Sequence, residues 1–132
     1  MTPIGQAPPR KLLVVDDDST IRTLLFTALH GQYDVLCVPN GTEAPGFIAS
    51  HDPDLLLLDI NIPGSDCYAL CEGIREQAAR RNLPIIFMTV CEDAAGFFDS
   101  LATGVNSYIK KPFEMPRLKK RIESKLKPRP SA

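Results

Sequence analysis

Short, wholly apolar runs alternate with stretches whose apolar residues recur every three or four positions, and the alternation repeats five times between residues 10 and 126. The first run, Leu12-Leu13-Val14-Val15, ends on acids. Ile21, Leu24, Leu25, Ala28 and Leu29 follow at helical spacing, with Gly31 placed to stop the helix. Asp34 to Val38 reads as a second strand, Asn40-Gly41 as a turn, and Ala44, Phe47 and Ile48 as a short second helix. Pro45 fits that helix only in its first turn, where a missing N–H does no harm. Leu55 to Leu58 forms a third run ending at Asp59, and Leu70 and Ile74 carry a third helix. Ile85 to Met88 ends at Thr89, followed by a fourth helix through Ala94, Phe97, Phe98, Leu101 and Ala102. Ser107 to Lys110 is the fifth strand, and Met115, Leu118, Ile122 and Leu126 mark the fifth helix.

Strands apolar on both faces, separated by helices, predict a parallel sheet covered on both sides. The expected fold is α/β: a flavodoxin-like, doubly wound (βα)5 unit with a five-stranded sheet in the order 2-1-3-4-5. Residues 1–9, with three prolines and no periodicity, read as a disordered lead-in, and 127–132 as a tail or the start of a linker. Residues 10–126 are the domain.

Composition narrows the function more than the fold. The chain has 132 residues, one domain's worth, with 44% apolar and 23% charged residues. Fifteen basic residues against sixteen acidic ones give no general electrostatic case for nucleic acid or an anionic membrane surface. No apolar run approaches the ~18 residues of a membrane span, and no signal-peptide pattern opens the chain, so a cytoplasmic location is expected. Cys37, Cys67, Cys71 and Cys91 lack zinc-site spacing and read as free thiols of a reducing compartment. His30 and His51 are isolated and read as surface or packing residues.

The strand ends carry the chemistry. In the 2-1-3-4-5 order the carboxyl ends of strands 1, 3, 4 and 5 converge, bringing together Asp16-Asp17, Asp59, Thr89 and Lys111. Three carboxylates in one crevice repel, and a hard divalent cation such as Mg²⁺ (or Mn²⁺), bound through one or two of them, removes the conflict. An ionised aspartate can then attack phosphorus to form an acyl phosphate. Lys111 offers a compact positive charge to the phosphoryl oxygens and Thr89 a hydroxyl donor. Each residue also has a plainer explanation. Asp18 or Ser19 is an ordinary helix N-cap, Asp16 and Asp17 could merely charge the first turn, and Thr89 or Lys111 alone would be a cap or a solvated lysine. It is their convergence with Asp59 that favours chemistry.

Four stretches then resemble the response-regulator receiver domain: LLVVDDD (12–18), PDLLLLDINIPG (53–64), PIIFMT (84–89) and YIKKPF (108–113). They stand in order and at that family's spacings across about residues 10–126. The resemblance implies a bacterial two-component phosphorelay protein in which Asp59 takes a phosphoryl group from the phosphohistidine of a sensor histidine kinase or phosphotransfer protein. It implies Mg²⁺ binding by the Asp17 and Asp59 side chains and the Asn61 backbone carbonyl, with Asp16 helping directly or through water. Thr89 and Lys111 match the family's hydroxyl and lysine positions, Tyr108 its switch aromatic, and Lys111-Pro112 its frequent cis bond. Phosphorylation would draw Thr89 inward, let the Tyr108 ring fill the space, and reshape the face made by the fourth helix, fifth strand and fifth helix. That face, with Phe97 and Phe98, would meet a downstream output domain or effector, or support a phosphorylation-dependent dimer. Packing within the strand is the alternative role for Tyr108. Such a domain is no enzyme beyond its own phosphorylation and dephosphorylation.

Some positions depart from the family's pattern: Cys67 for a common glycine, Val90 for a small residue after the threonine, and Pro45 for a leucine. Asn61 and Cys91 occupy positions that influence phosphoryl lifetime in the family. Three other readings compete. A pseudo-receiver would keep the fold without taking phosphate. A haloacid-dehalogenase-like aspartyl-phosphate hydrolase needs a second aspartate where Asn61 stands. A flavin site lacks a phosphate-cradling loop after the first strand, where three aspartates would repel it.

Overall fold

The computed structural model describes residues 9–59, 83–89 and 106–126. Five parallel strands, β1 (Lys11–Val15), β2 (Asp34–Val38), β3 (Leu55–Asp59), β4 (Ile85–Thr89) and β5 (Asn106–Lys110), form one sheet in the order β2-β1-β3-β4-β5. This is the order expected from the sequence. Asp59 and Thr89 close their strands rather than follow them, and β5 begins one residue earlier than the apolar pattern suggests. The helices among the described residues are α1 (Ser19–Leu29), α2 (Ala44–His51) and α3 (Met115–Lys125), the last being the fifth of the sequence reading.

The two-residue period of the strands sorts their side chains between two cores. Leu13, Val15, Leu56, Leu58, Ile85 and Phe87 pack with Ala44 and Ile48 of α2 on one face. Leu12, Val14, Leu55, Leu57, Ile86 and Met88 pack with Leu25 and Leu29 of α1 and Leu118 and Ile122 of α3 on the other. Every residue of β3 and β4 is buried. At about 1.5–3 kcal/mol for each fully buried large apolar side chain, this double layer is the main force holding the strand ends in place.

Local signals set the helix ends. Asp18 is the N-cap of α1, its side chain accepting the Thr20 N–H at 2.8 Å. Pro45 does lie in the first turn of α2, which follows a 3-10 turn at Gly41–Glu43 capped by Asn40. Asp52 ends α2 in the left-handed region at φ 48°, a conformation that aspartate tolerates better than most residues. α1 stops where expected: His30, in right-handed geometry, is the C-cap, its N–H donates to the Phe26 carbonyl, and Gly31 follows directly. Lys111-Pro112 is cis.

The third and fourth helices of the sequence reading lie outside the described residues. So do Asn61, Cys67, Cys71, Val90, Cys91, Phe97 and Phe98, the lead-in before Pro9, and the tail from residue 127. Among the described residues, no helix is long and apolar enough to cross a membrane.

Candidate functional site

Register decides which residues meet at the carboxyl edge. Val15 is level with Leu58 on β3, Asp59 with Met88 on β4, and Thr89 with Lys110 on β5. Asp16 and Asp59 are therefore level, with Thr89 one residue and Lys111 two residues further along on the next strands, all at the same edge. Beyond β1, Asp16 to Asp18 make the short passage into α1, and Asp17 lies between a buried and an exposed neighbour.

Burial sets these residues apart. Asp16 and Thr89 are fully buried and Asp59 is 3% exposed, the buried polar or charged side chains among the described residues. Asp17 is exposed. One carboxylate oxygen from each of Asp16, Asp17 and Asp59 falls within 4.8 Å of the others. Three hard, anionic oxygen donors that close, one of them open to solvent, fit Mg²⁺ or Mn²⁺ and suit a soft metal poorly.

The Lys111 ammonium reaches into this cluster. Its Nζ donates to Asp16 Oδ2 at 2.7 Å and stands 3.3 Å from Asp59 Oδ2. The Lys111 N–H donates to the Thr89 carbonyl at 2.6 Å, which ties the lysine to the end of β4. Burial alone would lower the Lys111 pKa. The Asp16 hydrogen bond and the Asp59 and Asp16 charges outweigh it, and the pKa rises above its ordinary 10.5. The lysine is thus a fixed cation between two acids.

Asp16 is held on every side. Its N–H donates to the Val38 carbonyl at 3.2 Å, its Oδ1 accepts the Asp18 N–H at 2.9 Å, and its Oδ2 accepts from Lys111. Its carbonyl accepts from Arg22 Nη1 at 2.7 Å. Arg22 lies outside the strand-end motifs. The available signal was a charged residue set within the inward stripe of Ile21, Leu25, Ala28 and Leu29, where a partner is needed.

Tyr108 is level with the buried Phe87 on β4, yet 40% of it is exposed. It borders a groove of about 680 Å³ lined by Ile109, Lys110, Phe113, Arg117 and Arg121 among others. Arg121 donates to Ser107 Oγ at 2.7 Å and to the Tyr108 carbonyl at 3.0 Å, which pins α3 to β5.

Comparison with known proteins agrees with this geometry. A family model described as the response regulator receiver domain matches residues 12–123. The chain is 38% identical over 117 residues to the "Probable transcriptional regulator ycf27" of Cyanidium caldarium, covering 88% of this chain and 46% of that protein. Its namesake in Porphyridium aerugineum is 36% identical over 118 residues, covering 89% and 48%. The chain thus spans about half the length of these curated relatives. Among solved structures, a CheY-like response regulator receiver domain protein from Methanospirillum hungatei superposes with a TM-score of 0.78 at 27% identity, covering 89% of this chain and 94% of that one. The chemotaxis protein CheY4 of Vibrio cholerae gives 0.78 at 25% identity, covering 89% and 99%.

Proposed function

The chain belongs to the response regulator receiver domain family, and from that premise we propose that Asp59 accepts a phosphoryl group from the phosphohistidine of a sensor histidine kinase or a phosphotransfer protein. The observation that carries this reading is the placement of Asp59. It is almost wholly buried at the end of β3, 3.3 Å from the Lys111 ammonium, with two further carboxylates close by. A carboxylate so placed gains little for stability, but it stands ready for attack beside one cation, in a cluster whose excess negative charge a metal ion would offset.

In the proposed step, an Asp59 carboxylate oxygen forms a bond to phosphorus and the bond from phosphorus to the donor imidazole nitrogen breaks. The imidazole leaves with the electron pair. Lys111 faces the oxygens on which negative charge collects, and the Thr89 hydroxyl donates to the same group. Asp17 and Asp59, with the Asn61 carbonyl, are the residues suited to hold Mg²⁺ or Mn²⁺. When bound, that ion offsets repulsion between the attacking anion and the phosphoryl dianion. Both Asp16 oxygens already accept hydrogen bonds, so its part is to orient Lys111 and the loop and to bind metal-held water. The protein turns over no separate substrate.

The phosphoryl group brings about two negative charges into the crevice. Lys111 is the cation best placed to follow that charge, and its N–H bond to Thr89 links any such movement to the end of β4. Thr89 and Tyr108 form the proposed switch. The groove beside Tyr108, on a segment with seven basic residues against two acidic ones between 106 and 126, is the proposed output face. It would meet an output domain, an effector, or a second copy in a phosphorylation-dependent dimer. Residues 10–126 act as the signalling unit, in the cytoplasm and without direct contact to nucleic acid or membrane. The transcriptional role in the relatives' name would belong to a further domain.

Incubation with Mg²⁺ and acetyl phosphate tests the reading. The protein should gain one acid-stable, base-labile phosphoryl group, and Asp59→Asn should gain none. A wild-type protein that stays unlabelled by small donors and by its kinase would be a pseudo-receiver. Steady hydrolysis of unrelated phosphate esters would point to the hydrolase instead.

A further inference from the structure

Resting on the metal site proposed above, we infer that Arg22 is a positioning residue for that site: by holding the Asp16 carbonyl it orients the peptide that leads into Asp17 and so sets the direction of the Asp17 carboxylate. The carbonyl that Arg22 Nη1 grips at 2.7 Å belongs to the peptide joining Asp16 to Asp17. A peptide unit is planar, so fixing its oxygen fixes the rotation about the Asp16 and Asp17 backbone bonds on either side. The rest of the loop is already tied. The Asp16 N–H is bound to Val38, and the Asp18 N–H to Asp16 Oδ1. The Arg22 bond is what fixes the one peptide plane between them.

The helix makes Arg22 suited to this task. The Arg22 N–H donates to the Asp18 carbonyl at 3.0 Å, so its backbone is set by the first turn of α1. Long helical side chains point back toward the N-terminus, which sends the guanidinium six residues back along the chain to Asp16. A guanidinium does not lose its proton in any ordinary buffer, so the grip is independent of pH. Arg22 is also anchored from its other side: its carbonyl accepts from Cys37 Sγ at 3.8 Å, which fastens this turn of α1 to β2.

Charge alone makes the opposite prediction. A cation near three carboxylates repels a second cation, so its removal would tighten metal binding. Positioning predicts that removal loosens it. The direction of the change therefore decides the matter.

The test is Mg²⁺ affinity by calorimetry on the full chain, for wild type, Arg22→Met, Arg22→Lys and Asp17→Asn. Arg22→Met keeps the apolar stem and loses the donor. It should weaken Mg²⁺ binding about tenfold, within the range seen when groups that orient metal ligands are removed. Labelling by acetyl phosphate at saturating Mg²⁺ should keep its maximal rate while the Mg²⁺ needed for half that rate rises in step. Arg22→Lys, which restores a charged donor of similar reach, should recover most of the affinity. Arg22→Gln keeps a polar group but falls short of the carbonyl, and it carries the same prediction should Arg22→Met not fold. Unchanged or tighter Mg²⁺ binding in the folded variants overturns the inference. Asp17→Asn separates the two levels: if it binds Mg²⁺ like wild type, the metal site itself is misassigned and the inference falls with it.

Discussion

Two ion clusters stand at opposite ends of the same sheet, and they are built from nearly the same parts. At the amino end, Asp54 precedes β3, accepts the Lys11 N–H at 2.8 Å and lies 3.9 Å from the Arg10 guanidinium, while Lys11 Nζ donates to the His51 carbonyl at 3.3 Å. At the carboxyl end, Asp16, Asp59 and Lys111 meet. The Arg10 and Asp54 side chains are 22% and 35% exposed, whereas Lys111 is 15% and the two aspartates 0% and 4%. Water screens the first cluster and hardly enters the second. The amino-end acid is shared between donors and serves to fasten strand to loop. The carboxyl-end lysine is shared between acids, and with Asp17 beside them the cluster carries an excess of negative charge. Packing gains nothing from that excess. A buried, unbalanced group of titratable side chains marks a functional site, and a screened, balanced one marks a surface.

Lys111→Met should break this contrast most severely. It leaves Asp16 and Asp59 buried beside each other without their cation, and loss of one partner from a buried ion pair costs about 3–5 kcal/mol. Denaturant unfolding in Mg²⁺-free buffer should show a loss approaching that range, with part of it recovered on adding Mg²⁺. The rate of labelling by acetyl phosphate should fall by about 10²-fold, as for removal of a donor to developing negative charge. A variant as stable and as readily labelled as wild type would place Lys111 outside the site.

Alkaline pH should probe the same lysine more gently. Its pKa is raised in the folded state, so its contribution to stability is fully present below the ordinary value of 10.5 and is lost as pH rises through the higher folded value. Tyr33, raised above 10.0 by burial and by the Glu123 charge, acts with the same sign in an overlapping window. Melting curves should therefore fall above about pH 10.5. Tyr33→Phe should lessen the fall and Lys111→Met should lessen it further. No dependence on either side chain would contradict the assignment.

The smallest effect belongs to the other end. Asp54→Ala should cost about 1 kcal/mol or less, since it removes an exposed pair and one hydrogen bond. It should leave acetyl phosphate labelling unchanged. A large loss of labelling there would mean that the two ends are coupled through the sheet, and the contrast drawn between them would fail.

Much of this arrangement was legible in the sequence. The apolar strands needed burial on both faces, which required a covered parallel sheet, and the sheet order then forced Asp16, Asp17, Asp59, Thr89 and Lys111 to one edge. Asp18 as a cap and Pro45 in a first turn were readable because both are local. The path of the backbone between elements was not readable. Arg22 reaches the Asp16 carbonyl because its side chain points back along α1 to the end of β1, and no motif spacing encodes that contact. Gly31 directly follows the C-cap His30, as the sequence suggests, but the right-handed geometry of that helix end was not readable. That Lys111 would bind Asp16 more closely than Asp59 depends on differences of a fraction of an ångström, which side-chain packing alone decides.

The central claim is that Asp59 is the acceptor, and chemical mapping tests it most directly. Borohydride reduces an aspartyl phosphate to homoserine, so the labelled protein can be reduced, digested and sequenced by mass spectrometry. Homoserine at position 59, formed only with Mg²⁺ and a phosphodonor, is the predicted result. Homoserine at another aspartate, or its absence after treatment with both acetyl phosphate and the cognate kinase, would contradict the account.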